Sequence, residues 1–156
     1  MRLVFIFALL TSLVVPTHAA DVGFLRVWPG WRGAESFDRI SEYFGGRENT
    51  GRELVLRTKS DTRAGYYFLV RVKSATALEG TTFELSLIRP DTPETKTYRF
   101  AAAVPARETV FQFGLTGSDW PGGEEVHPVA WKLALVAADG RTLAEHKSFL
   151  WEKPGK

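Results

Sequence analysis

Short runs of apolar residues alternate with turn residues from Val22 almost to the end of the chain. The runs are rich in Val, Leu, Phe, Tyr, Trp and Thr, which pack well on a pleated surface. Eight candidate strands follow from this pattern: 22–28, 53–59, 66–73, 82–89, 96–104, 109–115, 129–137 and 142–151. The pattern therefore predicts a mainly all-β fold, an antiparallel β-sandwich of seven or eight strands.

The succession of short strands, closed by a hairpin at Asp139-Gly140, resembles immunoglobulin-like sandwiches in general. The Cys…Trp…Cys signature of true immunoglobulin domains is missing, because the chain contains no cysteine. The resemblance implies an immunoglobulin-like arrangement of strands. It implies nothing about activity.

The second and third candidate strands predict a hairpin with its turn centred on Thr62. In that hairpin Leu56 pairs with Phe68, and Leu54 pairs with Val70, on one apolar face. We expect these two strands to be neighbours.

Two further pairings involve charged side chains. The other face of the same hairpin places Arg57 beside Tyr67, a cation next to an aromatic ring. Strict pairing in the final hairpin places Lys132 opposite Lys147. This like-charge contact predicts a longer loop or a β-bulge.

One stretch has helical rather than alternating periodicity. Phe37, Ile40 and Phe44 recur at helical spacing and are followed by two glycines, which predicts a short helix near residues 34–44. Such a helix is marginal alone, so we expect its apolar stripe to pack on the sheet. The carboxylates of this stretch are interpreted as a solvated face rather than a metal site.

The N-terminus has the pattern of an export signal. Arg2 precedes an apolar run over residues 3–15, and small residues follow Pro16, which predicts cleavage after Ala19. An uncleaved membrane anchor would need about 20 apolar residues, more than this run provides. We expect residues 1–19 to be a signal peptide, residues 20–156 to form a single β-sandwich domain, and the product to be periplasmic or extracellular.

Composition narrows the class of partner. Of the 20 Lys and Arg residues only Arg2 belongs to the predicted signal, so 19 remain against 18 Asp and Glu. A nearly neutral surface of mixed sign does not favour nucleic acid as the partner. We expect no membrane span after signal cleavage, and the absence of cysteine excludes disulfides and a lipidated N-terminal cysteine.

No catalytic, metal-binding or phosphate-binding motif is present in the sequence. The loop over residues 119–128 carries Asp119, Glu124, Glu125 and His127, which could bind a cation. Its spacing matches no known metal loop, and a polar connection between strands is the preferred interpretation. We therefore expect no cofactor and no enzymatic activity, with a hydrolase that uses an unrecognised acidic site as a weak alternative.

The most suggestive candidates are three tryptophans beside Pro and Gly: Trp28, Trp31 and Trp120. In exposed loops such rings would stack on sugars or anchor a protein partner, and folded inward they would close the end of the sandwich. The leading hypothesis is an exported, non-catalytic binding domain that holds a protein or an envelope component. The alternative is a carbohydrate-binding module that uses these three tryptophans.

Overall fold

Two four-stranded sheets pack face to face in the computed structural model, which describes residues 21–38 and 53–152. Sheet 1 contains, in spatial order, β1 (Val22–Arg32), β3 (Gly65–Ser74), β6 (Glu108–Thr116) and β2 (Leu54–Arg57). Sheet 2 contains β5 (Thr92–Ala101), β4 (Thr82–Arg89), β7 (Ala130–Val136) and β8 (Thr142–Lys147). The predicted signal peptide, residues 1–19, lies outside the described residues.

The predicted β-sandwich is confirmed, and each of the eight candidate strands overlaps an observed one. Lettering β1, β3 and β6 as A, B and E gives the order A-B-E in sheet 1. Lettering β5, β4, β7 and β8 as C′, C, F and G gives C′-C-F-G in sheet 2. Apart from β2, which pairs in parallel with β6 at the edge of sheet 1, these orders are those of an immunoglobulin-like sandwich.

The predicted hairpin between β2 and β3 is wrong. β6 lies between them, antiparallel to β3 and parallel to β2. The predicted alignment of the two strands is nevertheless correct. Leu56 and Phe68 both pair with Phe113, so they lie at the same position along the strands, one on each side of β6. The alternation of apolar and polar residues determines which side chains share a face of the sheet. It does not determine which strands are neighbours, because a third strand with the same alternation can pair between the two.

Gly114 explains why Arg57 still meets Tyr67, as the sequence predicted. Both residues pair with Gly114 from opposite sides of β6. Because Gly114 has no side chain, the Arg57 Nε reaches over it and donates a hydrogen bond to the Tyr67 hydroxyl at 2.6 Å. A Cβ at position 114 would overlap the Tyr67 ring.

The core lies between the sheets and is mainly aromatic. Phe83 of sheet 2 packs against Phe111 and Phe113 of sheet 1, with ring centroids 4.8 and 4.6 Å away. Phe68 packs edge-on against Trp131 at 5.3 Å. All but Trp131 of these five side chains are fully buried. These rings hold the two sheets together. In a chain without disulfides, the burial of large aromatic side chains is the main stabilising contribution.

The predicted helix near residues 34–44 begins as a 3-10 helix, Ala34–Phe37, after which Asp38 is extended. Residues 39–44 lie outside the described residues. Phe37 packs on the sheet as expected, with its ring 4.8 Å from that of Tyr67. The guanidinium groups of Arg32 and Arg57 lie over the Phe37 ring, 4.8 and 4.7 Å from its centroid. None of the helices among the described residues is long and apolar enough to cross a membrane.

The final hairpin is confirmed, with both the like-charge pair and a bulge. Lys132 lies opposite Lys147, and the register shifts near the turn, between Leu135 and Val136. Glu145 compensates the pair, with its carboxylate 2.7 Å from the Lys147 Nζ and 3.9 Å from the Lys132 Nζ. The bulge therefore does not separate the two lysines. Their repulsion is reduced instead by the carboxylate of Glu145.

We expect Gly114→Ala to lower the free energy of unfolding by about 1–3 kcal/mol, because the new methyl group overpacks against the buried Tyr67 ring. Urea denaturation of the two proteins measures this difference. Gly123→Ala is the matched control, since a Cβ there meets no atom within 4 Å. Equal stability of the Gly114→Ala variant and the native protein would contradict the packing described above.

Candidate functional site

Trp28 and Trp31 do not lie in a loop, as the sequence suggested, but in β1, which continues to Arg32. The strand tolerates Pro29 because β1 is the edge of sheet 1, where a missing N–H costs little. Being three residues apart in a strand, the two tryptophans face opposite sides of the sheet. They therefore cannot form one flat stacking surface.

The two rings have different surroundings. Trp28 lies on the outer face of sheet 1, between the guanidinium groups of Arg26 at 4.5 Å and Arg71 at 5.6 Å. Trp31 pairs with Tyr66 and packs against the core from one end of the sandwich. Each ring thus contacts other groups of this chain.

Trp120 is buried, with 3% of its surface exposed. The 3-10 helix Gly117–Asp119 turns the chain after β6, and Gly117 has the positive φ of 56° that favours glycine. The turn places the Trp120 ring 4.7 Å from the Tyr66 ring. The predicted loop tryptophan thus folds inward and partly closes the end of the sandwich.

A cavity of about 450 Å³ lies beside Trp120 at this end. We call it the Trp120 cavity. It is bounded by the end of β4 and by the loop between β6 and β7. Its lining residues are Arg89, Pro90, Asp91, Trp120, Pro121, Gly122 and Val126. The lining is mainly apolar, with one cation and one carboxylate, and such concave apolar surfaces with few polar groups are typical of binding sites.

Arg89 is the residue of this site that sequence reasoning missed. It continues the buried positions of β4 after Leu85 and Leu87, so its side chain enters the space between the sheets where that space ends. Its Nη2 lies 2.9 Å from the Asp91 carboxylate, and its Nη1 donates to the Asp119 carbonyl at 3.2 Å. A charged residue at a core-facing position was the signal in the sequence that could have identified it.

Two N–H groups of the cavity lining are buried without an acceptor among the described residues. They are the Trp120 Nε1 and the Arg89 Nε. A buried donor without a partner costs about 1–3 kcal/mol, so such groups are uncommon in folded proteins. Because almost none of the surface of either atom is accessible, both N–H groups lie inside the packed wall and not on the surface of the cavity.

Two tyrosines contact the loop between β6 and β7, which lines part of the cavity. The Tyr66 hydroxyl is 3.3 Å from the His127 Nδ1, and burial raises the pKa of Tyr66 above 10.0. The Tyr98 hydroxyl donates to the Asp119 carbonyl at 3.4 Å. Burial raises the pKa of Tyr98 as well, and the nearby Asp119 carboxylate adds to that effect.

Exposed apolar side chains also lie at this end of sheet 2. Val129 precedes β7, and its N–H donates to the carbonyl of Ile88, the neighbour of Arg89. Ser148 is hydrogen-bonded to Trp131 at the end of β8, and the helical turn Phe149–Glu152 follows. Val129, Phe149 and Leu150 are 47, 80 and 53% exposed. We call these three residues the apolar rim.

The acidic loop considered as a cation site does not converge. The Asp119 carboxylate lies 3.9 Å from the Lys59 Nζ, and His127 contacts Tyr66. Within residues 21–38 and 53–152, no three His, Cys, Asp or Glu side chains are placed to hold a metal ion. The loop serves instead to position Trp120 and Val126 at the cavity.

Comparison with known proteins does not assign a family. A scan against models of protein families found no match. A search of curated proteins also found no significant similarity. The function is therefore inferred from the geometry of the site.

We expect the free energy of unfolding to fall as the pH rises above about 10, because the tyrosines of the unfolded chain then ionise while the buried Tyr66 and the partly buried Tyr98 keep their protons. The stability is fully present below pH 10 and is lost as the pH approaches the raised pKa values. Urea denaturation at about pH 8 and about pH 11 measures the fall.

Tyr66→Phe is the matched variant for this measurement. It loses the hydroxyl contact with His127, so its stability at about pH 8 drops by about 1 kcal/mol. Its decline between the two pH values should be smaller than that of the native protein, because the phenyl ring cannot ionise. An identical decline in both proteins would exclude Tyr66 as a source of the alkaline sensitivity.

Proposed function

We propose that this chain is an exported, non-catalytic binding domain that acts in the cell envelope or outside the cell. It holds a protein partner at the end of the sandwich that carries the Trp120 cavity and the apolar rim. The observation that carries this proposal is that both features lie at the same end of sheet 2, where β4 ends and β7 begins. A concave apolar site beside three exposed apolar side chains is typical of a protein-binding surface.

The rim is held in place rather than loosely exposed. The Ser148 N–H donates to the Trp131 carbonyl at 2.9 Å, and the Ser148 hydroxyl accepts from the Trp131 N–H at 2.9 Å. The Lys132 Nζ lies 5.8 Å from the Trp151 ring centroid on the other side of the helical turn. Phe149 and Leu150 are thus presented outward by an anchored turn, which lowers the entropy cost of binding through them.

The carbohydrate-binding alternative has less support. Stacking on a sugar requires exposed rings on a common surface. Trp120 is buried, and Trp28 and Trp31 face opposite sides of β1. No observation favours the hydrolase alternative, because the carboxylate lining the cavity, Asp91, is paired with Arg89.

Export is tested on the protein made in its native cells. We expect the mature chain to begin at Ala20, as read by N-terminal sequencing of the purified protein. Leu9→Arg places a charge in the apolar run of the signal and should leave the full-length precursor inside the cell. Leu9→Val, which keeps the run apolar, is the control. Processing at a distant position, or a precursor that is exported intact, would contradict this part of the proposal.

Partner binding is tested by placing a photo-crosslinking amino acid at Phe149 in the native cells. We expect one defined protein adduct at this position. The same probe at Ala138, in the turn between β7 and β8 at the opposite end of the sandwich, should give none. Adducts at both positions, or at neither, would contradict binding through the rim.

The double variant Phe149→Ser with Leu150→Ser tests whether the rim contributes to the affinity. Because both side chains are exposed, we expect its stability to stay within about 0.5 kcal/mol of the native protein. Binding of the partner recovered by cross-linking should weaken by about tenfold or more, as measured by calorimetry. Ala138→Ser is the matched control and should bind normally.

A further inference from the structure

We infer that the chain forms a two-fold symmetric dimer in which β5 of one copy pairs antiparallel with β5 of a second copy. This pairing joins the two copies of sheet 2 into one continuous sheet. β5 is the edge of sheet 2 opposite β8, after which the apolar rim follows, so the contact between copies is independent of the partner proposed above.

β5 is the long unprotected edge among the strands that the structure describes. It has ten residues, and no described strand pairs with it on the side away from β4. The other three edges are short or shielded: β2 has four residues, β8 packs close to β1, and β1 carries Pro29 and a bulge at Leu25. Natural sheets protect their edges in these ways, because an open edge is a template for another strand.

The backbone of β5 directs alternate residues away from β4. The Ala102 N–H donates to the Thr81 carbonyl at 3.1 Å, in the register that pairs Ala101 with Thr82. In an antiparallel pair every second residue exchanges its hydrogen bonds with the neighbouring strand. Even-numbered residues of β5 from Lys96 onward therefore bond to β4. The N–H and C=O groups that point away from β4 belong to four exposed residues: Thr95, Thr97, Arg99 and Ala101.

A second copy of β5 matches these groups in an antiparallel register centred on Tyr98. Every outward N–H and C=O group of residues 95–101 then meets a counterpart on the other copy. Pro93, which has no N–H to donate, lies outside this register. The edge is thus complementary to itself, as a two-fold interface requires. The opposed pairs are Tyr98 with Tyr98, Thr97 with Arg99, and Thr95 with Ala101.

The charged side chains of this segment do not oppose the pairing. Arg99 is held on its own sheet by Glu84, whose carboxylate lies 2.7 Å from the Arg99 Nε. In the same register Lys96 lies opposite Phe100 of the second copy, so no two like charges face each other directly. The repulsion between edges by which many natural sheets avoid such pairing is therefore absent here.

Sedimentation equilibrium of the mature protein measures the dimer. We expect the average mass to rise towards twice that of one chain as the concentration increases from about 1 μM to about 1 mM. The double variant Phe149→Ser with Leu150→Ser is the control for association through the rim and should dimerise normally. A protein that stays monomeric at the highest concentration, or a double variant that no longer dimerises, would overturn the inference.

Thr97→Pro removes an N–H that the folded monomer does not use, at an edge where proline is tolerated. We expect self-association to weaken by about tenfold or more, because a two-fold pair loses this donor twice. Thr97→Val is the matched control: like proline it loses the hydroxyl bonded to Ser86, but it keeps the N–H and should dimerise as the native protein does. Equal association of the two variants would show that the copies do not pair through β5.

A cysteine at the centre of the register gives a measurement that needs no proline. Tyr98 faces Tyr98 in a pair without direct hydrogen bonds, where Cα atoms lie about 4.5 Å apart, close enough for a disulfide. Because the chain has no cysteine of its own, Tyr98→Cys should oxidise to a cross-linked dimer. Lys96→Cys is the control and should cross-link far more slowly, since its counterpart lies about 13 Å away along the strand. Equal rates for the two variants would exclude this register.

Amide hydrogen exchange tests whether the edge is open in the monomer. We expect the outward amides, such as that of Thr97, to exchange rapidly in dilute protein and slowly in concentrated protein. The amides of Lys96, Tyr98 and Phe100, which bond to β4, should exchange slowly at both concentrations. If the outward amides are already protected in the dilute monomer, another part of the chain covers the edge and the inference is wrong.

Discussion

The contact of Phe83 with Phe111 and Phe113 joins the two sheets, and the other features of the molecule depend on it. These rings set the distance between the sheets, because aromatic side chains pack closely and leave little room for adjustment. With no cysteine in the chain, no disulfide shares this role. The same spacing must continue to the ends of the sandwich, where fewer side chains are available to fill it.

At the end of the sandwich near Trp120, side chains do not fill the space completely, and a cavity remains. Tyr66 and Trp120 pack against each other there with tilted rings, and Arg89 occupies a core-facing position where an apolar residue would be expected. A guanidinium held there needs Asp91 and a backbone carbonyl to compensate its charge. The cavity therefore borders two bulky residues, Trp120 and Arg89, whose polar atoms the surrounding residues satisfy only in part.

Much of the fold could be predicted, because the alternation of apolar and polar residues along a strand shows which side chains are buried. The runs that contain Phe83, Phe111 and Trp131 were all recognised as strands, and the last hairpin was found from its Asp-Gly turn. Alternation does not report which strands are neighbours. For that reason β2 was paired with β3 at the correct level, although β6 lies between them.

The site was harder to predict than the fold. The sequence suggests Trp120 as a candidate, but its inward orientation depends on the turn at Gly117, which has no strong sequence signature. Trp28 and Trp31 were assigned to a loop because Pro29 usually ends a strand, and an edge strand is the exception. Arg89 was missed because a cation at the end of an apolar strand is normally solvent-exposed.

The parallel pairing of β2 with β6 also has a consequence for the order of folding. Leu54 pairs with Phe111, far along the chain, and β3 likewise needs β6 as its second neighbour. During synthesis the ribosome releases β1, β2 and β3 well before β6, so sheet 1 cannot be completed until most of the chain has emerged. Such non-local pairing slows folding. A chain that folds late remains extended for longer, which is the state in which a polypeptide can be threaded through a translocation channel.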